Sequence, residues 1–251
     1  MAIDRFYLPN LNSLELSGDE AKHCVQVLRH EPGERVTVFD GKGTEITAEI
    51  VRANKKKVFL KEISRRTFPC FPWELSLVQA IPKGKQMDWI TRKATELGAS
   101  AVYPVISERT VVQVGEDRAE TKHAKWQQGI VEAAKQCGQN HMPVLHHVQT
   151  LDNFFAQPPK ADIFFYGSLE PDADTMRSVF DQFRIGRDTP PSRVTVLIGP
   201  EGDLSPSEWG KARALGFAPV TLGDIILRSE TAAIFALSVI SYELQNLWRV
   251  K

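Results

Sequence analysis

The stretch from Arg193 to Thr231, RVTVLIGPEGDLSPSEWGKARALGFAPVTLGDIILRSET, decides how this chain folds. Its opening, Arg193 to Ile198, is a short apolar run rich in β-branched residues, the pattern of a strand buried on both faces. Gly199, Pro200 and Gly202 end it abruptly. Ser205 then supplies a helix N-cap, Pro206 suits the first helical position, and Glu208, three residues after the cap, completes a capping box. A strand therefore runs directly into a helix. The turn between them leaves backbone clear of side chains beside a cluster of unpaired helix amides, where a ligand can approach closely. Downstream, Gly216 closes the helix, Ala218 to Leu222 reads as another strand, and Gly223 begins a second bend. Ile225-Ile226-Leu227-Arg228 follows, one cation ending an apolar segment. A last helix is expected from about Ser229, with Glu230 in its first turn, where exposed amides favour a carboxylate. Ala232, Ala233, Phe235, Ala236, Val239, Ile240 and Leu244 leave that helix little polar face, so it packs inside a domain or against a partner chain. Two glycine bends at neighbouring strand ends can form one pocket.

Working outward, 251 residues suffice for one large or two modest domains. Lys plus Arg equals Asp plus Glu at 31 each, so attraction to nucleic acid has to come from local clustering. Cys24, Cys70 and Cys137 form no CxxC pair, which fits packed thiols in a reducing compartment. The start, MAIDRFYLPN, lacks a signal-peptide profile, and no apolar run approaches membrane-spanning length, so a cytoplasmic protein is expected. No histidine spacing suggests a metal: His146 and His147, adjacent on a strand, point to opposite faces, and a helix stop at Gly138 separates Cys137 from His141. Metal independence is the expectation.

From Val36 to Ile63 the pattern alternates between turns, which predicts a small antiparallel sheet. Before it, Ser17 and Glu20 read as a capping box for a helix whose Ala21, Cys24, Val25 and Leu28 share a face, so the region is expected to form a compact β-barrel. Residues 52 to 66 carry seven cations, Lys55, Lys56 and Lys57 among them, against Glu62 alone. That is either a patch for RNA phosphates or a solvated lysine-rich turn. Pro69 and Pro72 disfavour both helix and central strand, which puts a domain boundary near residue 70 and gives domains 1–70 and 71–251. Beyond it, strand-like runs at 73 to 81, 101 to 107, 144 to 148, 161 to 167, 193 to 198 and 218 to 222 alternate with helical segments, the signature of an α/β domain with a mostly parallel sheet. Lys83, Lys85, Arg92 and Lys93 cluster around the start of a helix near Gln86 to Leu97, where they either meet phosphate or decorate its polar face. A longer helix, roughly Arg118 to Cys137, puts Glu132 and Gln136 on one face, with Asn140 just beyond its stop. These three either converge on a ligand or partner or form a solvated polar face.

Ile198-Gly199-Pro200-Glu201-Gly202, then Leu222-Gly223, Ile226-Leu227-Arg228 and Glu230-Thr231-Ala232, together resemble the SPOUT-class RNA methyltransferases. More narrowly they resemble the RsmE type, which methylates N3 of a uridine in small-subunit ribosomal RNA. EAAKQCGQN at 132–140 is similar too, as is the segment from Lys83 to Thr110, where Lys83, Glu96 and Arg109 occupy positions the family tends to fill alike. Weaker likenesses are Arg5-Phe6, Val27-Leu28-Arg29 and Phe39-Asp40-Gly41. One position departs: Asp203 stands where the family usually has glycine. The resemblance implies a small PUA-like β-barrel that binds RNA, a SPOUT domain whose C-terminal part threads a trefoil knot, S-adenosylmethionine as donor, ribosomal RNA as partner, and a homodimer. RNA contacts are then expected from Arg5, Arg29, Lys83, Arg109, Gln136 and Asn140, with Lys55, Lys56, Lys57 and Arg92 from the charge pattern.

S-adenosylmethionine carries its own leaving group, so the protein chiefly holds donor and acceptor in line and excludes water. Leu197, Ile198, Leu222 and Ile226 offer an apolar slot for the adenine, while main chain near Gly199, Gly202 and Leu227 reads its edge. Pro200, Glu201 and Gly223 complete the two bends. Uridine N3 must lose a proton, and Arg228 is the first candidate to stabilise the charge left on the neighbouring carbonyl oxygens. Glu230 or Glu201 takes the proton, although Glu230 equally suits a helix terminus and nothing more. Neither GxxxxGK[ST] nor GxGxxG occurs, which counts against other nucleotide-dependent enzymes. The remaining rival is a non-catalytic RNA-binding protein of the same fold, separated by donor binding.

Overall fold

In the computed structural model, which describes residues 3–110 and 116–248, the chain divides into two units. One comprises Met1–Cys70 with Val131–Met142, the other Phe71–Ile130 with Pro143–Lys251.

The first unit contains β1 (Arg5–Tyr7), β2 (Glu15–Ser17), α1 (Gly18–Lys22), β3 (Arg35–Phe39), β4 (Thr44–Ala53) and β5 (Lys57–Thr67). Their order across the sheet is β1-β3-β4-β5-β2. The alternating stretch folds as its period requires: β3, β4 and β5 pair antiparallel and bury Val36, Val38, Ile46, Ile50 and Val58. The antiparallel part covers the stretch expected from 36 to 63; β1, outside it, runs parallel to β3, with Arg5 opposite Thr37, so the five-stranded sheet as a whole is mixed. Alternation fixes which side chains face the core, but it carries no information about strand direction. A difference from the expected pattern lies at α1. Ser17 occupies the N-cap without a side-chain cap bond, and the box with Glu20 does not form. Glu20 instead accepts from Lys135 Nζ at 3.0 Å, and the helix loosens into a π turn over His23–Val27.

The second unit holds β6 (Glu74–Ala80), α2 (Gln86–Glu96), β7 (Ala101–Ile106), the earlier turns of α3 (Glu116–Cys137), β8 (Val144–Leu145), β9 (Gln149–Thr150), α4 (Leu151–Ala156), β10 (Ile163–Gly167), α5 (Met176–Arg184), β11 (Arg193–Ile198), α6 (Pro206–Ala214), β12 (Phe217–Val220) and α7 (Ser229–Trp248). The strands lie in the order β12-β10-β11-β6-β7-β8, with β9 also on β7, and every registered pair is parallel. β11 is flanked by β10 and β6, which explains its unbroken apolar run: Val194 through Ile198 are all buried. Here the capping box is real. Ser205 Oγ accepts from the Glu208 amide at 3.2 Å, Glu208 Oε2 accepts from the Ser205 amide at 2.8 Å, and Glu208 Oε1 takes the Glu108 amide at 2.9 Å. α7 packs on α2, β6 and β11 through Ala233, Ala236, Leu237, Ile240 and Leu244, leaving Phe235 and Tyr242 exposed. Of the three cysteines only Cys24 is packed; Cys70 and Cys137 are exposed, so their apolar neighbours in sequence do not translate into burial. Among the described residues no helix is long and apolar enough to cross a membrane.

Candidate functional site

Three chain segments meet beyond the C-terminal ends of neighbouring parallel strands, the usual place for a ligand in an open α/β sheet. They enclose a cavity of about 300 Å³. Gly167, Ser168 and Leu169 form one wall, Ile198 to Glu201 with Asp203 a second, and Leu222 to Ser229 a third, with Ala232 behind. The two glycine bends read from the sequence therefore meet. Ser229 Oγ donates to the Gly199 carbonyl at 2.8 Å and accepts from Gln79 Nε2 at 3.0 Å, a buried relay from β6. Two further contacts hold the second wall: the Lys83 amide donates to Glu201 Oε1 at 2.9 Å, and Arg109 Nη1 donates to the Gly202 carbonyl at 2.9 Å. Gly223 sits at φ +114, a conformation that L side chains rarely adopt.

Asp203 explains its own departure from glycine. Its φ is +60, in the left-handed region that aspartate tolerates better than most residues, and its Oδ1 accepts the Leu204 amide at 2.7 Å. Burial pushes the carboxyl above the usual carboxylate range, opposed by that amide and by the charge of Arg109.

Of the expected donor contacts, Ile198, Gly199, Pro200, Glu201, Leu222, Gly223, Ile226 and Leu227 line the cavity, as does Arg228. Leu197 does not: it is fully buried in the core with Val78, Tyr166 and Leu204. Adjacent strand residues face opposite sides, so Leu197 and Ile198 cannot both serve one pocket with their side chains. Gly202 is also off the lining and backs onto Arg109, and Glu230, in the first turn of α7 between the lining residues Ser229 and Ala232, does not itself line the cavity. Sequence reasoning missed the wall at Gly167–Leu169, although an apolar strand ending in Gly-Ser is the same punctuation seen at the other two strand ends. A Cβ at Gly167 would touch Ile198 and Leu222 at 3.4 Å each.

The polar candidates divide between the units. Within the first, Arg5 pairs with Glu45, donates to Asn140 Oδ1 at 2.7 Å and stacks over Phe39 at 4.7 Å. Arg5 and Asn140 are thus brought together: both terminal nitrogens of Arg5 and the Asn140 carbonyl oxygen are engaged with protein, while Arg5 Nε is buried without a hydrogen-bond partner. Gln136 is exposed while Asn140 is buried. Arg29 is exposed at φ +61, Lys55 and Lys56 are exposed in the β4–β5 turn, and Lys57 pairs with Glu15 at 2.8 Å. In the second unit Lys83, Arg92 and Arg109 are exposed. Among the described residues no group of three or more His, Cys, Asp or Glu is placed to hold a metal ion.

Residues 69–241 match the family described as the RNA methyltransferase domain. The chain belongs to the RNA methyltransferase family. Residues 16–63 match the companion RNA methyltransferase PUA domain. A methyltransferase structure from Legionella pneumophila, in complex with bound SAM, is 35% identical with a TM-score of 0.86 over 98% of both chains. The ribosomal RNA small subunit methyltransferase E of Neisseria gonorrhoeae, bound to S-adenosyl methionine, is 31% identical with a TM-score of 0.84, again over 98% of both chains. Ribosomal RNA small subunit methyltransferase E of Bacillus subtilis is 28% identical over 94% of this chain and 92% of its own. In this RNA methyltransferase the larger match contains all three walls of the cavity.

Proposed function

We propose that this RNA methyltransferase transfers a methyl group from S-adenosylmethionine to N3 of a uridine in small-subunit ribosomal RNA. The observation that carries the reading is the contact between Ser229 and Gly199, which closes two glycine bends around one cavity. Similar proteins crystallised with this donor support it. The residues present suit the donor: apolar side chains of Ile198, Leu222 and Ile226 accept an adenine, and the bends at Gly199 and Gly223 leave main chain accessible to its polar edge. The bound donor supplies an electrophilic methyl group and a good leaving group.

The chain's own part is to orient, to exclude water and to manage a proton. Arg228, exposed at the cavity, is placed to stabilise the negative charge that spreads onto the uracil oxygens as N3 loses its proton. Glu201 is the carboxylate of the bends that lines the cavity together with Asp203, and it serves as the proton acceptor in preference to Glu230. The unit of Met1–Cys70 with Val131–Met142 binds RNA as a PUA-like domain, with the exposed Arg29, Lys55 and Lys56 meeting phosphates, and the unit of Phe71–Ile130 with Pro143–Lys251 carries the transfer. The reading brings with it a cytoplasmic reaction, a trefoil knot in the C-terminal part, and a homodimer that covers the exposed Phe235 and Tyr242 of α7.

Two measurements test it together. Calorimetric titration with S-adenosylmethionine should give saturable one-site binding, and mass mapping of small-subunit RNA treated with enzyme and donor should show one new methyl on a uridine N3. Saturable donor binding without that product would reject the uridine assignment. Absent donor binding would leave only a protein that binds RNA.

A further inference from the structure

The wall that the sequence did not announce, Gly167–Leu169, is held by residues outside the cavity. Its backbone is tied to the sheet where the Ser168 amide donates to the Val220 carbonyl at 2.9 Å. Just past it, Glu170 turns back on the wall: its amide donates to Ser168 Oγ at 3.1 Å. Glu170 Oε2 then accepts from the Tyr166 hydroxyl at 3.0 Å, from Ser168 Oγ at 3.4 Å and from Arg213 Nη2 at 2.8 Å. Arg213 reaches further. Its Nε donates to the Tyr166 hydroxyl oxygen at 2.9 Å, and its Nη2 also contacts both carboxylate oxygens of Asp172, at 3.1 and 3.0 Å.

One guanidinium on α6 therefore grips the end of β10 and two acidic residues of the loop that follows. Tyr166, whose ring is fully buried, anchors the assembly in the core. Pro206 starts α6 three residues after Asp203, so the helix that carries Arg213 grows directly out of the second wall. The geometry also explains why the side chain is arginine: its planar fork can serve Tyr166 through one nitrogen and the carboxylates through another, which a single ammonium cannot do. Leu169 itself is 62% exposed. With little packing of its own, it lies over the cavity because the backbone on either side of it is fixed. Dispersion contacts fall off within a fraction of an ångström, so a small outward drift of this wall removes one side of a ligand's surroundings.

We propose that Arg213 and Glu170 are positioning residues that set the Gly167–Leu169 wall, so that donor affinity depends on an ion pair that touches no ligand. The inference rests on reading the cavity as the S-adenosylmethionine site. The test is titration of the full chain with S-adenosylmethionine, comparing the parent with Arg213→Ala, Glu170→Ala, their double substitution, and Arg213→Lys, all well below the unfolding midpoint. Each single alanine should weaken donor binding by about tenfold, and the double should be no weaker than the worse single, because both remove one coupled device. Arg213→Lys should recover only part of the loss. A residue that merely adds stability would lower the unfolding midpoint and leave the affinity of the folded protein unmoved. Parent and single-alanine proteins binding the donor equally would overturn the inference, as would losses that multiply in the double substitution. Should Arg213→Ala fail to fold, Glu170→Gln, which keeps shape and loses charge, carries the comparison, and unchanged affinity there overturns the inference as well. A parent protein that does not bind the donor would instead remove the pocket reading beneath it.

Discussion

The Ser229 hydroxyl donates to the Gly199 carbonyl oxygen 2.8 Å away, joining the first residue of the last helix to a strand end 30 residues earlier. Ser229 Oγ also accepts from the buried Gln79 side-chain amide, so removing the hydroxyl deprives both the Gly199 carbonyl and Gln79 Nε2 of a partner at once. Ser229→Ala should cost about 1–3 kcal/mol of stability, the range for groups left buried without their hydrogen bond. Urea denaturation reads the loss, and Ser229→Thr, which keeps the hydroxyl, should restore much of it. Donor affinity should fall in parallel, since the bond joins two walls of the cavity. An unchanged midpoint in the alanine protein would mean the relay is idle.

Arg228 offers a sharper separation of binding from chemistry. It lines the cavity yet is exposed, so its loss should disturb the fold little. Arg228→Ala should reduce single-turnover methylation by about 10²–10³, the scale for removing one group that stabilises developing charge. Donor affinity should stay close to that of the parent, and Arg228→Lys should recover a fraction of the rate. A parallel loss of donor affinity would move Arg228 from the acceptor to the donor.

Asp203 predicts a pH dependence. Burial raises its carboxyl above the ordinary value of 3.8, so the folded protein keeps this proton to higher pH than the unfolded chain does. Its protonated form therefore favours folding below about pH 3.8, and that contribution is lost as pH rises through the folded value. Asp203→Asn can keep both the left-handed backbone and the bond from the Leu204 amide while carrying no charge. It should be more stable than the parent at neutral pH, with the difference closing towards pH 3.8. Denaturation curves at the two ends of that range check the sign; an Asn protein less stable at neutral pH would contradict it.

Lys135 concerns the first unit. Its side chain is only 7% exposed, and its Nζ meets Glu20 at 3.0 Å, His23 Nδ1 at 3.0 Å and Glu132 at 3.2 Å. Lys135→Ala leaves the Glu20 carboxylate in a site whose burial already raises its proton affinity, and should cost about 3–5 kcal/mol. Lys135→Met combined with Glu20→Leu should recover most of that, since it removes both charges and fills the space. Denaturation of the three proteins decides the matter, and a single substitution as mild as a surface change would show the cluster to be well hydrated.

What could be read in advance follows a physical line. The segment from Arg193 to Glu208 was legible residue by residue because glycine punctuation and a capping box act between close neighbours. The same signature at Ser17 failed because Glu20 has a better partner 115 positions away in Lys135. Arg5 and Asn140, 135 positions apart, meet for reasons no local pattern records. Leu197 was within reach of the rule that strand residues alternate, yet the motif runs through both faces of the strand and hid the distinction. Gly167 carried a local sign without any accompanying motif, and only the meeting of three strand ends gives it meaning.

Helix α3 has a consequence for how such a protein can be inherited or re-engineered. Its last turns and the residues after them, Val131–Met142, fold with Met1–Cys70, while its earlier turns fold with the other unit. A gene fragment stopping at Cys70 would encode a sheet whose Arg5 lacks Asn140, whose Glu20 lacks Lys135 and whose Gly41 carbonyl lacks the Met142 amide. The halves are not beads that recombination can restring, and any successful exchange has to carry this dozen-residue loan along with it.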